Sequence, residues 1–358
     1  MQKIHRVGIV GADARASWAH VSHVPALQGL ATAELSAVAT RQETSAREAA
    51  EKFGAGRWFA DPYEMISDPD IDIVTIAVRV PAHRPLVEAA LAAGKAVYCE
   101  APLGVDVAEA ERLAVAGKGR PTAIGLQGRH NPSVRRAAEL IAEGAIGRPL
   151  TARIVSTTSA WGPVTISPYL YFEQASSGAG LLTITAGHTL DIVEAVLGDV
   201  VSVDARTTTM FPSVTVADTG TTAVREGADH ADILGRTTSG ATFNAAVLGG
   251  VAPEDAEFRF DVRGTDGWLS LTGGTLYGVQ GGDLTLTSSA AFEPPAAPVL
   301  GAGVTGPALN VAEVYARLID DIESGSHTAP DFTLGLHNAR LIEALAEAAA
   351  ASDRHVSQ

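Results

Sequence analysis

The sequence predicts two α/β domains: an N-terminal doubly wound parallel sheet, followed by an α+β domain built on an antiparallel sheet. As far as residue 130, near-continuous apolar runs alternate with Ala-rich stretches of helical spacing, which is typical of parallel strands buried on both faces. Beyond Pro132, strands of alternating apolar and polar residues follow one another between turn signals. A length of 358 residues also fits two domains, which we assign to residues 1–130 and 131–358.

The elements of the first domain alternate strictly. Apolar, β-branched runs predict strands at Arg6–Val10, Glu34–Ala39, Asp72–Val78, Ala96–Cys99 and Thr122–Leu126. Ala-rich stretches predict helices at Ser45–Phe53, Ala82–Ala93 and Val107–Ala116. Gly54, Gly94 and Gly117 follow these helices, where a left-handed residue commonly ends a helix. This alternation predicts a parallel sheet with helices on both faces.

The second domain begins with a helix at Pro132–Glu143, closed by Gly144. Alternating patterns then predict strands at Leu150–Thr158, Val200–Thr208, His230–Leu234, Ala241–Val247, Ala256–Val262 and Trp268–Leu271. Further helices are predicted at Thr189–Leu197, Val311–Glu323 and Leu334–Ala350, and a Pro/Ala/Gly-rich loop at Glu293–Pro307. The alternation indicates an antiparallel sheet with one covered face.

The composition excludes several classes of protein. There are 41 acidic and 26 basic residues, a net charge of −15, which argues against nucleic acid or an anionic membrane as the main partner. The single cysteine, Cys99, excludes a disulfide within the chain and a cysteine-based zinc site, and its place in an apolar strand indicates a packing role. The histidines show no metal-ligand spacing, so we expect no metal. With neither a signal peptide nor a long apolar run, we expect a cytoplasmic protein without membrane spans.

The turn after the first predicted strand has some features of a dinucleotide-binding loop. Its glycine-motif positions fall on Gly11, Asp13 and Ala16, with Ala12 between the first two, so the second glycine is missing. A carboxylate at Asp13 is unfavourable beside a phosphate unless Arg15 compensates it. The alternative is a strand–turn–helix that binds no ligand.

The end of the second predicted strand favours NADP over NAD, although NAD stays possible. NAD-binding sites usually carry Asp or Glu there to accept from the ribose 2′-hydroxyl. This chain has Thr40 and Arg41, with Ser45 following, and such hydroxyl and guanidinium groups suit a 2′-phosphate. The alternative is that Arg41 is a solvated loop residue.

Three later stretches, Ile73–His83, Gly94–Leu103 and Gly178–Asp191, resemble in order and spacing the Gfo/Idh/MocA family of NAD(P)-dependent oxidoreductases. The resemblance extends from about residue 4 to residue 350. Within the family, the stretches at Glu100–Gly104 and Gly187–Asp191 resemble the subgroup of the yeast galactose-pathway repressor, a dinucleotide-binding sensor without turnover.

The resemblance implies a Rossmann domain and a C-terminal domain with a large open antiparallel sheet that often mediates homodimers or homotetramers. It places the family's Glu-Lys-Pro motif on Glu100-Ala101-Pro102 and its acid/base histidine on His188. We expect the cofactor to be bound, together with the glycine turn and the loop after the second strand, by Val78, Arg79, Val80, His83, Glu100, Ala101, Pro102 and Arg129.

Two departures from the family pattern are large. Ala101 stands where the motif lysine reaches the nicotinamide ribose and the substrate hydroxyl. The aspartate that precedes the histidine is also absent: Thr183 takes its place if one residue is inserted before His188, and Ile184 if none is. Loss of one electrostatic donor typically costs about 10²–10³ in rate, so the substitution at Ala101 hinders turnover without excluding it.

Other candidates accompany His188. Tyr171, in the loop before the glycine motif, can donate a proton, and Thr185 lies within that motif; we include both as catalytic candidates. Tyr169 and Trp161 share the loop, and Trp161 can stack on a sugar ring. The alternatives are that the tyrosines only pack, and that His188 is a helix-terminal histidine satisfied by backbone or by Asp191.

The sequence therefore predicts an NADP(H)-dependent oxidoreductase acting on a secondary alcohol or ketone of a sugar, cyclitol or polyol, with His188 as acid/base. A catalytically silent dinucleotide-binding sensor is the first alternative. A redox-neutral enzyme that retains its cofactor is the second. The residues at Ala101 and at the missing aspartate motivate both alternatives.

Overall fold

The computed structural model describes residues 3–15, 17–274, 278–300 and 304–352. Ala16 of the glycine motif, and residues 301–303 of the expected Pro/Ala/Gly-rich loop, lie outside this range. Contacts divide the chain into two compact units, Met1–Gln127 with Pro298–His337 and Gly128–Ala297 with Asn338–Gln358.

The strands are, in chain order, β1 His5–Val10, β2 Ala33–Ala39, β3 Arg57–Phe59, β4 Ile73–Ile76, β5 Ala96–Cys99, β6 Thr122–Ile124, β7 Pro149–Thr157, β8 Val164–Thr165, β9 Val200–Thr208, β10 Ser213–Val216, β11 Thr221–Val224, β12 His230–Thr237, β13 Thr242–Leu248, β14 Phe258–Gly264, β15 Trp268–Gly273 and β16 Leu284–Ser288. The helices are α1 Trp18–Val21, α2 His23–Gly29, α3 Glu43–Phe53, α4 Pro62–Ser67, α5 His83–Ala92, α6 Val107–Gly117, α7 Pro132–Ala142, α8 Gly187–Leu197, α9 Pro307–Ser324 and α10 Phe332–Ser352.

The first unit contains a six-stranded parallel sheet in the order β3-β2-β1-β4-β5-β6. Its central strands β4 and β5 are buried along their whole length, as their uninterrupted apolar runs predict. Strand order reverses between β1 and β4, and ligands bind outside the carboxyl ends of the strands at such a switch point. The sequence prediction of a doubly wound parallel sheet is confirmed.

Local signals set the ends of the helices around this sheet. Gly54 ends α3 in the left-handed region with φ of 75°. The Asp61 side chain accepts from the Tyr63 N–H at the start of α4, and Asp106 accepts from the Glu109 N–H at the start of α6. These capping residues define where α3 ends and where α4 and α6 begin.

The second unit is built on a seven-stranded sheet in the order β16-β15-β14-β7-β13-β12-β9. All of its neighbouring strands are antiparallel except β7 and β13, which pair in parallel, so the sheet is mixed and mostly antiparallel. Alternate residues of these strands enter a core with α7, α8 and the second half of α10. A separate three-stranded sheet has the order β11-β10-β8.

The grouping of the chain differs from the expected domains in one respect. Residues 298–337 belong to the first unit, whereas the sequence assigned all of 131–358 to the second domain. The cause is the apolar face of α9, whose Val311, Val314, Tyr315 and Leu318 are fully buried in the core of the first unit.

Several short elements were not predicted: β3, β8, β10, β11, β16 and α4. The helix expected after Gly11 is two short helices, α1 and α2, because the chain breaks at Ser22, which has φ of −123° and ψ of −72°. No helix within the described residues is long and apolar enough to cross a membrane.

Candidate functional site

The carboxyl edge of the parallel sheet brings together the residues predicted to bind a cofactor. Gly11 follows β1, Thr40 follows β2, Val78 lies two residues beyond β4, and Glu100 follows β5. Gly11 has φ of +98°, and a β-carbon there would come within 2.2 Å of the Ala77 carbonyl oxygen. Only glycine allows the chain to turn this closely past the end of β4.

Asp13, at the second glycine position of the motif, is paired with Arg15. Ala12 is fully buried, and the Asp13 carboxylate accepts hydrogen bonds from the Arg15 backbone N–H at 2.8 Å and from its guanidinium at 3.2 Å. The carboxylate is therefore engaged by a cation within its own turn. Lys52 of α3 also donates to the Ala14 carbonyl at 2.6 Å, which ties this turn to the next helix.

The loop after β2 carries two hydroxyl groups and an exposed guanidinium. Thr40 Oγ1 and Ser45 Oγ lie 2.6 Å apart, and both lie within hydrogen-bond distance of the Gln42 carbonyl oxygen, at 3.1 and 3.0 Å. With one hydrogen each, the two hydroxyls can donate two of these three bonds at a time. Arg41 is exposed, and its guanidinium pairs with no carboxylate in the described part of the chain. The nearby Glu43 is engaged by Arg47 at 2.7 Å. These groups fit a phosphate on the ribose 2′-oxygen.

His83 joins the loops that follow β4 and β5. It is 1% exposed, and its Nε2 lies 3.0 Å from the Val78 carbonyl oxygen while its Nδ1 lies 3.0 Å from that of Pro102. Burial lowers the pKa of this histidine below its usual value. Of the other predicted residues here, Arg79 is exposed and Val80 is buried. His83 thus links the loop after β4 to the loop after β5.

Glu100 of the same edge is held by a buried histidine that sequence reasoning missed. His23 Nε2 lies 2.7 Å from Glu100 Oε1, and His23 Nδ1 lies 2.9 Å from the Tyr315 hydroxyl. The Tyr315 hydroxyl in turn lies 2.7 Å from Thr75 Oγ1.

In the second unit, His188 is the second residue of α8 and is 4% exposed. Its Nδ1 has no hydrogen-bond partner within the described residues, and burial lowers its pKa to about 4. At neutral pH the ring is therefore uncharged and has a nitrogen available to take a proton.

A π-helical turn, Leu182–Ala186, precedes α8, with the Ala186 N–H bonded to the Leu181 carbonyl at 2.9 Å. Such turns add a residue to a helix and recur at functional sites. The alignment of the family aspartate with Thr183 or with Ile184 stays open. Thr183 Oγ1 is engaged with the backbone of Gly180. Thr185 is 1% exposed, and its carbonyl accepts from Thr189 Oγ1 at 2.7 Å.

Arg129 lies in the second unit, where its Nε is 3.3 Å from Asp191 Oδ1. Asp191 is 1% exposed, so the pair places a carboxylate and a guanidinium one helical turn from His188. The sequence left open whether Asp191 satisfies His188, and the observed partner of Asp191 is Arg129.

The predicted aromatic loop is anchored by a buried ion cluster. Tyr171 is half-buried with its ring centroid 4.3 Å from that of Phe172, and Trp161 adopts a positive φ of 59°. Arg225 donates to Glu173 at 2.7 Å, to Asp229 at 2.9 Å, and to the carbonyls of Trp161 and Gly162. The cluster therefore fixes both ends of the stretch that carries Tyr169 and Tyr171.

Sequence reasoning missed His23, Tyr315, Thr75, Arg225, Glu173 and Asp229. For Arg225 and Asp229 the sequence gives a weak signal, since two opposite charges lie four residues apart. His23 and Tyr315 are polar-tipped aromatics in apolar helices, 292 residues apart. Nothing in the local pattern of either links one to the other.

Two family models match the chain. A model described as the oxidoreductase family with an NAD-binding Rossmann fold (GFO_IDH_MocA) matches residues 5–124. A model of the Gal80p C-terminal domain matches residues 132–273. The matches fall on the parallel-sheet region and on the mixed-sheet region, respectively.

Relatives with described functions include enzymes and a regulator. Dehydrogenase aclE of Aspergillus oryzae is 31% identical over 238 residues, 61% of this chain and 62% of aclE, so the match spans less than two thirds of that protein. D-apiose dehydrogenase of Paraburkholderia graminis is 29% identical over 76% of this chain and 70% of its own. The galactose/lactose regulatory protein GAL80 of Saccharomyces cerevisiae is 32% identical over 53% of this chain and 46% of its own.

Solved structures with the same fold include both kinds of protein. Levoglucosan dehydrogenase in its apo form has a TM-score of 0.84 at 22% identity, covering 98% of both chains. A super-repressor mutant of Gal80p from Saccharomyces cerevisiae also has a TM-score of 0.84, at 23% identity, covering 98% of this chain and 97% of its own. At this identity the likeness establishes the fold.

Proposed function

The chain is a member of the Gfo/Idh/MocA oxidoreductase family with a C-terminal domain of the Gal80 type, and we propose that it is an NADP(H)-dependent oxidoreductase. It transfers hydride to or from a secondary alcohol or ketone of a sugar, cyclitol or polyol derivative. The observation that carries this proposal is His188, a buried, uncharged histidine with Nδ1 unengaged by the described residues. A purely structural histidine at this burial is normally hydrogen-bonded.

A nicotinamide cofactor, when bound, supplies the hydride donor or acceptor. His188 takes the hydroxyl proton when an alcohol is oxidised and returns it when a ketone is reduced. Burial lowers its pKa to about 4, so the ring is neutral over the physiological range and enters the oxidation direction unprotonated. Tyr171 and Thr185 are the further catalytic candidates, Tyr171 through its phenolic hydroxyl.

The residues at the carboxyl edge fit the cofactor. Gly11, Ala12 and Asp13 form the close turn, and Val78, Arg79, Val80 and His83 follow β4, with Glu100, Ala101 and Pro102 beyond β5. Thr40, Arg41 and Ser45 favour NADP, because the guanidinium of Arg41 is unpaired in the described chain and residues 40–42 carry no carboxylate. Solved levoglucosan dehydrogenase complexes contain NADH, so NAD is the alternative that the binding experiment compares directly.

The decisive experiment titrates the purified protein with NADPH and NADH and then measures turnover on a panel of polyols and ketoses. We expect tighter binding of NADPH, and turnover that the variant His188→Ala abolishes. Failure to bind either cofactor contradicts the proposal. Binding without turnover on any substrate favours the sensor described next.

A dinucleotide-binding sensor without turnover is the second candidate function. The observations that favour it are Ala101 in place of the motif lysine, and Thr183 or Ile184 in place of the motif aspartate. The same substitutions motivate a redox-neutral enzyme with a retained cofactor. The variant Ala101→Lys separates degenerate catalysis from sensing: restoring the cation raises turnover of a dehydrogenase by up to about 10²–10³-fold and leaves a sensor silent.

We also propose that the chain forms homodimers or homotetramers through the exposed face of the seven-stranded sheet, in the cytoplasm. Exposed side chains on this face include Thr151, Arg153, Leu234, Asn244 and Arg263. Sedimentation equilibrium tests the assembly, and the variant Leu234→Glu is expected to shift it toward the monomer. A monomer at all concentrations contradicts this arrangement.

A further inference from the structure

A continuous chain of buried hydrogen bonds crosses the first unit beneath the cofactor-binding edge. It runs from Thr75 on β4 to Tyr315 on α9, then to His23 on α2 and to Glu100 after β5, at 2.7, 2.9 and 2.7 Å. Three of its members, Thr75, Tyr315 and His23, are fully buried. Elements far apart in sequence therefore meet at one imidazole ring.

The donors and acceptors of this chain are consistent in one direction. The carboxylate of Glu100 can only accept, so Nε2 of His23 carries the hydrogen. A ring whose hydrogen is on Nε2 accepts at Nδ1 from the Tyr315 hydroxyl, whose oxygen accepts from Thr75. Every polar atom of the ring is satisfied, and its orientation is fixed from both sides.

Aromatic packing fixes the same ring further. The rings of Tyr98 and Tyr315 lie at centroid distances of 4.9 and 5.6 Å from His23, both close to edge-on. At the other end, Glu100 lies against Gly125, where a β-carbon would come 2.6 Å from Glu100 Oε2 and 3.0 Å from the Ala101 nitrogen. The carboxylate thus has one allowed position, between His23 and the backbone of Gly125.

We propose that His23 is a positioning residue for the Glu100–Pro102 segment, and through it for the nicotinamide end of the cofactor. The glycine turn is joined to α2 through α1 and Ser22, and Glu100 is the residue before Ala101, so the bond between His23 and Glu100 ties the helical segment after the glycine turn to the loop after β5. The inference rests on the proposed cofactor binding and deepens it. It assigns His23 no direct contact with substrate.

The test uses two variants that each retain half of the ring's hydrogen bonds. His23→Gln places an amide N–H near the position of Nε2 and keeps the bond to Glu100, whereas His23→Asn keeps only the Tyr315 side. The probes are NADPH, followed by its nicotinamide fluorescence, and 2′,5′-ADP, which lacks the nicotinamide. Thermal melting of each variant monitors folding.

We expect His23→Asn to weaken NADPH binding by about tenfold, the ratio that corresponds to losing one charge-assisted hydrogen bond. Binding of 2′,5′-ADP should change by less than about twofold, and His23→Gln should restore NADPH binding to within about threefold. In the background of Glu100→Gln, the change from His23 to Asn should have little further effect, because the bond is already weakened.

Three results overturn the inference. Equal weakening of NADPH and 2′,5′-ADP by His23→Asn indicates a general structural role. Equal behaviour of the Asn and Gln variants shows that the bond to Glu100 is immaterial. Wild-type protein that binds neither probe contradicts the proposed function itself, and with it the inference.

Discussion

His23 in the first unit and His188 in the second unit are both buried histidines, and they differ in their hydrogen-bond partners. His23, in the first unit, is fully buried with a partner at both ring nitrogens. His188, in the second unit, is 4% exposed with no partner at Nδ1 among the described residues. Burial alone therefore does not distinguish a positioning residue from an acid/base residue.

The difference lies in what each ring does with its hydrogen-bonding capacity. A satisfied ring such as His23 contributes order, since its removal leaves Glu100 and Tyr315 without a buried partner. An unsatisfied ring such as His188 has already lost its solvation and gains most from a substrate hydroxyl. Replacing a satisfied group should therefore cost stability or geometry, whereas replacing an unsatisfied one should cost activity.

The largest expected effect is on turnover. Replacing His188 with Ala should lower kcat by about 10²–10⁴-fold, because the reaction loses its acid/base. The dissociation constant of NADPH and the melting temperature should change little, since the imidazole Nδ1 makes no hydrogen bond in the described structure. Steady-state kinetics and cofactor titration measure the two quantities.

The matched control is His230→Ala, because His230 is a half-exposed histidine of β12 whose only ion-pair partner here is the exposed Asp232. It should leave kcat near the wild-type value. If His188→Ala unfolds the protein at a clearly lower temperature and loses kcat only in proportion to the unfolded fraction, the contrast between satisfied and unsatisfied histidines is wrong.

The second expected effect is on stability in the second unit. Arg225 is 5% exposed and engages Glu173, Asp229 and two backbone carbonyls, so it is a fully satisfied charged group. Arg225→Met strands two carboxylates and should lower the free energy of unfolding by about 3–5 kcal/mol. Urea denaturation followed by circular dichroism measures the loss.

Arg112→Met provides the comparison, since Arg112 forms a surface ion pair with Glu88 and is 63% exposed. Surface pairs contribute about 0–1 kcal/mol, so this variant should unfold close to the wild-type midpoint. Equal effects of the two substitutions would show that the buried cluster is not what anchors the aromatic loop.

The third prediction concerns pH. The pKa of His188 is about 4 in the folded protein and 6.5 in the unfolded chain. Between these pH values the unfolded chain therefore binds more protons than the folded one. Above about pH 6.5 the ring is neutral in both states, and its burial costs no proton. As the pH drops from 6.5 toward 4, protonation of the unfolded chain lowers the free energy of unfolding. The contribution of this group is about 3 kcal/mol.

Melting temperatures of the wild type and of His188→Asn between pH 4 and 7 test this linkage. The variant should show a shallower decline on the acidic side. Some decline should remain, because burial also lowers the pKa of His83. Parallel curves for the two proteins would mean that His188 is not held neutral by burial.

The comparison also shows how far the sequence predicts this molecule. The apolar runs of β4 and β5 predict the parallel sheet, because such strands must be buried on both faces, and the structure confirms it. His188 and Ala101 follow from the family resemblance, because the family's motifs fall on short stretches of this sequence. Their roles remain predictions.

What the sequence does not predict depends on distant partners. The bond between His23 and Tyr315 joins residues 292 positions apart, and neither local pattern encodes the other. The π-helical turn before His188 adds one residue within an apolar stretch whose periodicity looks the same with or without it. Strands β10 and β11 have four residues each, too few for an alternating pattern to stand out.

The smallest predicted effect tests cofactor choice at the first unit's edge, where an exposed cation rather than a buried ring is at issue. Replacing Arg41 with Ala should raise the dissociation constant of NADPH by about tenfold, the loss expected for one charge-assisted contact to a 2′-phosphate. That of NADH should stay within about twofold, because NADH lacks this phosphate. Fluorescence titrations at two salt concentrations measure both, and the difference should shrink at high salt since Arg41 is exposed.

Arg47→Ala is the matched control, because Arg47 is a nearby exposed arginine whose guanidinium is already paired with Glu43 at 2.7 Å. It should alter the binding of neither cofactor. Equal weakening of NADPH and NADH by Arg41→Ala would assign Arg41 to the general electrostatics of the edge. Unchanged binding of both would leave it a solvated loop residue, and the preference for NADP would then have to rest on Thr40 and Ser45, whose hydroxyls are already engaged with each other and with the Gln42 carbonyl.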